Sequence, residues 1–184
     1  MVPLMADRSE RARRANSAGH SLWLDDYLPY RAAVAASEIG KVISPFYQRF
    51  GLSMPEIAVI SVLHEEPELT QQMIVSRTVM EKFTVSRAVR SLNKRGLTRR
   101  KEHETDGRSA RVSLTPAGRR LFARVVPMSL AYEERLKRAL GGEEQVRAAK
   151  QMLLQLQDAA KSLAEESEHL FSPYAPTSKA SPTG

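Results

Sequence analysis

The residues best equipped for chemistry form the triplet Asp106-Gly107-Arg108, inside the stretch ETDGRSARVSLTPAG that runs from Glu104 to Gly118. A carboxylate and a guanidinium flanking one glycine could serve three chemistries: proton transfer, phosphate binding, or contact with a nucleic acid. Proton transfer needs a second titratable group within reach in a pocket. His103 and Glu104 are the candidates, and both fall on an exposed strand end, which argues against an enzyme. A phosphate cradle needs several glycines and a helix N-terminus directly after them. Here one glycine leads into a strand. What remains is an arginine beside an acid at a tight turn between two strands, a tip that could reach into DNA.

A second chemical feature precedes it. From Arg87 to Lys101 the chain reads RAVRSLNKRGLTRRK, with seven basic residues (Arg87, Arg90, Lys94, Arg95, Arg99, Arg100 and Lys101) and no acid. The formal net charge is +7, and outside this window 21 basic residues face 21 acidic ones, so the whole excess is local. A solvated helix face would interleave acids. A basic stripe confined to one element is the electrostatic footprint of a polyanion binder. Double-stranded DNA is therefore the expected partner. An anionic membrane ranks behind it, because no apolar face with aromatic anchors accompanies the charge.

Other chemistries are excluded or disfavoured by what the chain lacks. There is no cysteine, which removes disulfides, thiolate nucleophiles and thiolate metal sites. His20, His64, His103 and His169 lie far apart and form no zinc-like motif, so neither a metal nor a cofactor is expected. No apolar run approaches a membrane span, and the N-terminal residues lack the apolar segment of a signal peptide. The expected location is the cytoplasm.

The elements that must position these groups follow from periodicity and capping. Residues 1–22 are expected to be a disordered basic arm. A first helix carries apolar residues at 34, 35, 39, 42, 43, 46 and 50, begins near Pro29, is kinked at Pro45 and stops at Gly51. Ser53 and Glu56 fit a capping box that opens a second helix running to about Glu65. Thr70 caps a third, and a fourth runs from about Lys82 to Gly96. In the fourth, Val85, Val89 and Leu92 share the core face, leaving Thr84, Ser86, Arg87, Arg90, Ser91 and Lys94 outward. LTRRKEH and ARVSL read as two short strands joined across Asp106-Gly107, a strong hairpin signal. Thr115-Pro116 then opens a long helix ending at Gly141-Gly142. In the last helix Val146, Ala149, Leu153, Leu156, Ala160 and Leu163 recur at alternating steps of three and four, a heptad seam for a partner helix, for the preceding helix of the same chain, or for both. The tail from about residue 170 is Pro/Ser/Thr-rich and expected to be disordered.

The expected fold is mainly α with a small two- or three-stranded β wing: a winged helix-turn-helix over residues 53–114, flanked by dimerisation helices over 23–52 and 115–169. In such a motif the second helix of the pair enters the major groove and the wing meets the minor groove or phosphates. The stretches TVSRAVRSLNKRGLTRR and DGRSARVSLTPAG resemble the MarR family of bacterial transcription regulators, with a match covering roughly Tyr30 to Leu163. The most specific part is the wing pattern of Asp, one residue, Arg, Ser, then strand, Leu-Thr, two residues and Gly. The chain departs from the pattern at Thr78 and Val79, where leucine and a turn-former are common.

The resemblance implies a homodimer reading a pseudo-palindromic operator. Thr84, Ser86, Arg87 and Arg90 would face the major groove. Asp106 would orient Arg108 towards the minor groove, with Ser109 beside it, and Thr70, Lys82 and Lys94 would contact phosphates, with Ser53 a weaker candidate. Many relatives bind small aromatic or phenolic acids near the dimer interface. Tyr27, Tyr30, Arg31, Tyr47 and His64 are the suitably placed residues for such an effector here, Arg31 being able to pair with a carboxylate. The alternative is a winged-helix DNA binder without a small-molecule effector.

Overall fold

The computed structural model describes residues 22–78, 80–101 and 110–166. The chain divides into two compact units at Val126/Pro127, each described by itself. In chain order the elements are α1 (Leu28–Arg49), α2 (Met54–Glu65), β1 (Leu69–Thr70), α3 (Gln71–Thr78), α4 (Lys82–Lys94), β2 (Thr98–Lys101), β3 (Arg111–Leu114), α5 (Pro116–Leu140) and α6 (Glu143–Glu165). This is a winged helix-turn-helix with long helices on either side.

Local chemistry sets each boundary in the first unit. α1 has proline in its first turn and keeps Pro45 inside it. At its end the amide of Gly51, at φ 67°, donates to the Gln48 carbonyl, and that of Leu52 to Tyr47. This is a glycine C-cap of the kind that favours left-handed backbone. The capping box of α2 is formed: the Glu56 amide donates to Ser53 Oγ at 3.4 Å, and the Ser53 amide to Glu56 Oε2 at 2.8 Å. The Met73 amide donates to Thr70 Oγ1 at 3.2 Å, and the Gly118 amide to Thr115 Oγ1 at 3.1 Å, opening α3 and α5 in turn. Gly118 is required by space, since a Cβ there would run into the Leu97 carbonyl oxygen.

The sheet has three antiparallel strands in the order β1-β3-β2. Its register pairs Thr98 with Leu114 and Lys101 with Arg111 on one side of β3, and Leu69 with Val112 on the other. β1, only two residues long, is too short to show the alternation by which a strand is read from sequence. The loop at Asp106, Arg108 and Ser109 lies outside the described residues. So do Val79, the arm and the tail.

One apolar cluster holds this unit together. Ile60, Leu63, Leu69, Ile74, Val85, Leu92, Val112 and Val125 are buried in it, and Tyr47, Phe50, Leu121 and Phe122 pack on its edge. Burying aliphatic side chains of this size stabilises by about 1.5–3 kcal/mol each relative to exposure. Leu52, just after α1, and Val125, from α5, lie in the same core as α2 to β3.

In the second unit, the rest of α5 and α6 are joined by ion pairs. Lys137 Nζ lies 3.1 Å from both Glu134 and Glu143, whose hydrogen bonds raise its pKa, and Lys150 lies 3.2 Å from Glu133. Of the heptad seam, Val146 is buried and Leu156 half-buried, whereas Leu153 and Leu163 are exposed, as are Met152 and Leu154 beside them.

Candidate nucleic-acid interface

The phase of α4 decides which side chains it presents. Val85, Ala88, Val89 and Leu92 are buried, and Leu92 and Val85 are fully so. Arg87, Arg90 and Lys94 recur at steps of three and four on the opposite side and are exposed. None of the three has a hydrogen-bond or ion-pair partner among the described residues. Lys82 is exposed at the first position of the helix, and Thr84 and Ser86 are half-buried at its margins. Of the groups proposed from sequence for DNA contact on α4, Arg87, Arg90 and Lys94 thus share one face, with Thr84 and Ser86 at its edges.

α4 is held in place by a carboxylate beneath its C-terminal half. Glu56 is 7% exposed. It accepts from the Ser53 hydroxyl at 2.9 Å, from the Ser91 hydroxyl at 2.7 Å and from Arg95 Nη1 at 3.3 Å. Arg95 Nη1 also donates to the Gly51 carbonyl at 2.7 Å. Burial pushes the Glu56 carboxyl up, but the Ser53 amide, the two serine hydroxyls and the Arg95 charge outweigh it and hold the pKa below the ordinary 4.5. One carboxylate therefore joins the start of α2 to α4, and through Arg95 to the end of α1.

This network corrects the sequence reading in two places. Ser91 does not face outward: its hydroxyl turns in to Glu56, a contact across 35 residues that helical phase alone does not reveal. Arg95 is likewise a structural cation, and Arg99 Nε donates to Ser113 Oγ at 3.0 Å within the sheet, so the basic window is not uniformly available to a ligand. Ser53 is exposed, but its hydroxyl is engaged with Glu56.

Thr70 sits at the start of α3, half-buried, with its hydroxyl capping that helix. On the far side of α3, Arg77 bridges to Glu65 at 2.7 Å and to Glu66 at 3.2 Å, tying α3 to the end of α2. Phe83, the second residue of α4, was passed over in the sequence reading and is 82% exposed.

The effector candidates do not gather in one chain. Tyr27, Tyr30 and Arg31 are exposed at the start of α1, where Arg31 lies 3.8 Å from Asp25. Tyr47 is near the other end, half-buried against the core. Tyr27 and Tyr47 are separated by about 30 Å of helix at about 1.5 Å per residue. His64 stacks at a tilt on Phe122, with ring centroids 4.6 Å apart.

Comparison with known proteins bears on this arrangement. A family model described as MarR family matches residues 50–109. The transcriptional regulator HosA of Escherichia coli O111:H- is 30% identical over 94 residues, which are 51% of this chain and 70% of HosA. The chain belongs to the MarR family. A MarR-family transcriptional regulator from Silicibacter pomeroyi superposes with a TM-score of 0.60 at 29% identity, over 79% of this chain and 96% of that one. BpsR of Bordetella bronchiseptica, whose DNA binding is regulated by 6-hydroxynicotinic acid, shares the fold with a TM-score of 0.68 at 19% identity, over 76% of this chain and 99% of BpsR. This MarR-family chain is thus a DNA-binding transcriptional regulator rather than an enzyme.

Proposed function

We propose that this MarR-family protein is a cytoplasmic, homodimeric repressor that inserts α4 of each protomer into successive major grooves of a pseudo-palindromic operator. The observation that carries the reading is the outer face of α4. Arg87, Arg90 and Lys94 lie there without a hydrogen-bond or ion-pair partner among the described residues, opposite a buried stripe that fixes their direction. On this reading Thr84, Ser86, Arg87 and Arg90 meet base edges. Thr70, Lys82 and Lys94 meet phosphates, and Arg108, oriented by Asp106 with Ser109 adjacent, serves the neighbouring groove. The exposed Leu28, Ile39 and Val42 of α1 and Leu153 and Leu163 of α6 support a second copy as the partner that covers them.

Release from the operator follows when a small aromatic or phenolic acid, or its thioester, favours a dimer whose recognition helices no longer match the groove spacing. Tyr27, Tyr30, Arg31, Tyr47 and His64 are the proposed contacts, and the regulation of BpsR by an aromatic acid supports this class. The separation of Tyr27 from Tyr47 along α1 favours a second reading, DNA binding without such an effector, unless two protomers complete one pocket. The test is a thermal-shift screen of aromatic acids followed by DNA-release assays. A compound that both stabilises the protein and releases DNA supports the effector reading, and stabilisation without release favours the alternative.

A further inference from the structure

We propose that Phe83 is a specificity-determining residue that reads thymine through its C5-methyl group; this rests on the assignment of α4 to the major groove. Among the described residues Phe83 is the most exposed large apolar side chain, at 82%. Its position is not accidental in helical phase. Phe83, Arg87, Arg90 and Lys94 follow one another at steps of four, three and four, so at about 100° per residue they form a single stripe, with Val85 and Leu92 about 180° away in the core. Phe83 takes no part in that core. It leads the face that carries Arg87, Arg90 and Lys94, at the end of the helix where recognition residues approach base edges.

A phenyl ring in that place does not match phosphate, which the neighbouring Lys82 would attract. The apolar feature that the major groove offers is the thymine methyl, and phenylalanine is among the side chains that contact it. A protein partner fits poorly, since a stable interface needs about 800 Å² from each side and one ring among cations supplies a small part of it.

The experiment selects the preferred duplex from a random pool with the full-length wild-type protein, then replaces each thymine of that duplex by deoxyuridine, which deletes only the methyl. Wild-type protein should lose about fourfold in affinity at one thymine per half-site, the value of one buried methyl. Phe83→Ala should bind the thymine and uracil duplexes equally, and Phe83→Leu should keep part of the difference. Discrimination unchanged in Phe83→Ala, no thymine at which the wild type discriminates, or no preferred duplex at all would each overturn the proposal. So would a change in sedimentation of Phe83→Ala with thymine discrimination intact, which would make Phe83 a protein contact. Arg87→Ala, measured in parallel, separates the two levels. If it loses affinity while Phe83→Ala behaves as wild type, only the role of Phe83 fails; if neither variant differs from wild type, the placement of α4 fails with it.

Discussion

Arg95, at the C-terminal cap of α4, reaches Glu56 at 3.3 Å and the Gly51 carbonyl at 2.7 Å, whereas Arg87, two turns earlier, has no partner among the described residues. Both belong to one acid-free run, and by composition they are equivalent. The fold separates them. Arg95 lies near the phase of Ala88 and Leu92 and turns back towards α2, while Arg87 lies across the helix from that stripe. A charge count locates a nucleic-acid interface, but the 3.6-residue period decides which charges remain available to a ligand.

The largest expected effect comes from breaking the inner half of this contrast. Glu56→Ala removes the acceptor shared by Ser53, Ser91 and Arg95 and should cost about 2–3 kcal/mol of stability, measured by denaturant unfolding. The DNA affinity of the folded fraction should change little. Breaking the outer half should do the reverse. Arg87→Ala should lose about 1–3 kcal/mol of affinity for the preferred site and relax specificity, with stability within about 0.5 kcal/mol of wild type.

A smaller effect sharpens the inner half. Folded Glu56 titrates below its ordinary 4.5, so its contribution is complete above that value and is lost as pH falls through the lower, folded-state pKa. As pH falls below 4.5, the unfolding midpoint of the wild type should drop more steeply than that of Glu56→Gln. The smallest effect belongs to the outer face: Lys94→Ala should weaken all duplexes alike and reduce the salt slope by about one.

Much of this contrast is legible in the sequence. The Ser53–Glu56 capping box, the caps at Thr70 and Thr115, and the start of α4 at Lys82 are local signals, complete within a few residues, and the structure reproduces them. The inward turn of Ser91 and Arg95 was not legible, because their partner Glu56 lies 35 and 39 residues away and nothing in the run RSLNKRG marks it. β1 escaped because its pairing with β3 is decided by the far strand. Phe83 could have been found, since an aromatic residue in step with Arg87 and Arg90 breaks the polar pattern of that face.

The central claim, that α4 carries structural cations on one side and DNA-contacting cations on the other, is tested most directly by removing one charge from each. Arg87→Ala and Arg95→Ala are compared in fluorescence-anisotropy titrations of one duplex at several salt concentrations, with unfolding measured on the same samples. The account predicts that Arg87→Ala loses affinity by roughly tenfold or more at unchanged stability, and that Arg95→Ala loses stability while its folded fraction binds within about twofold of wild type. Equal losses of affinity in the two variants, in proportion to the charge removed, would contradict it.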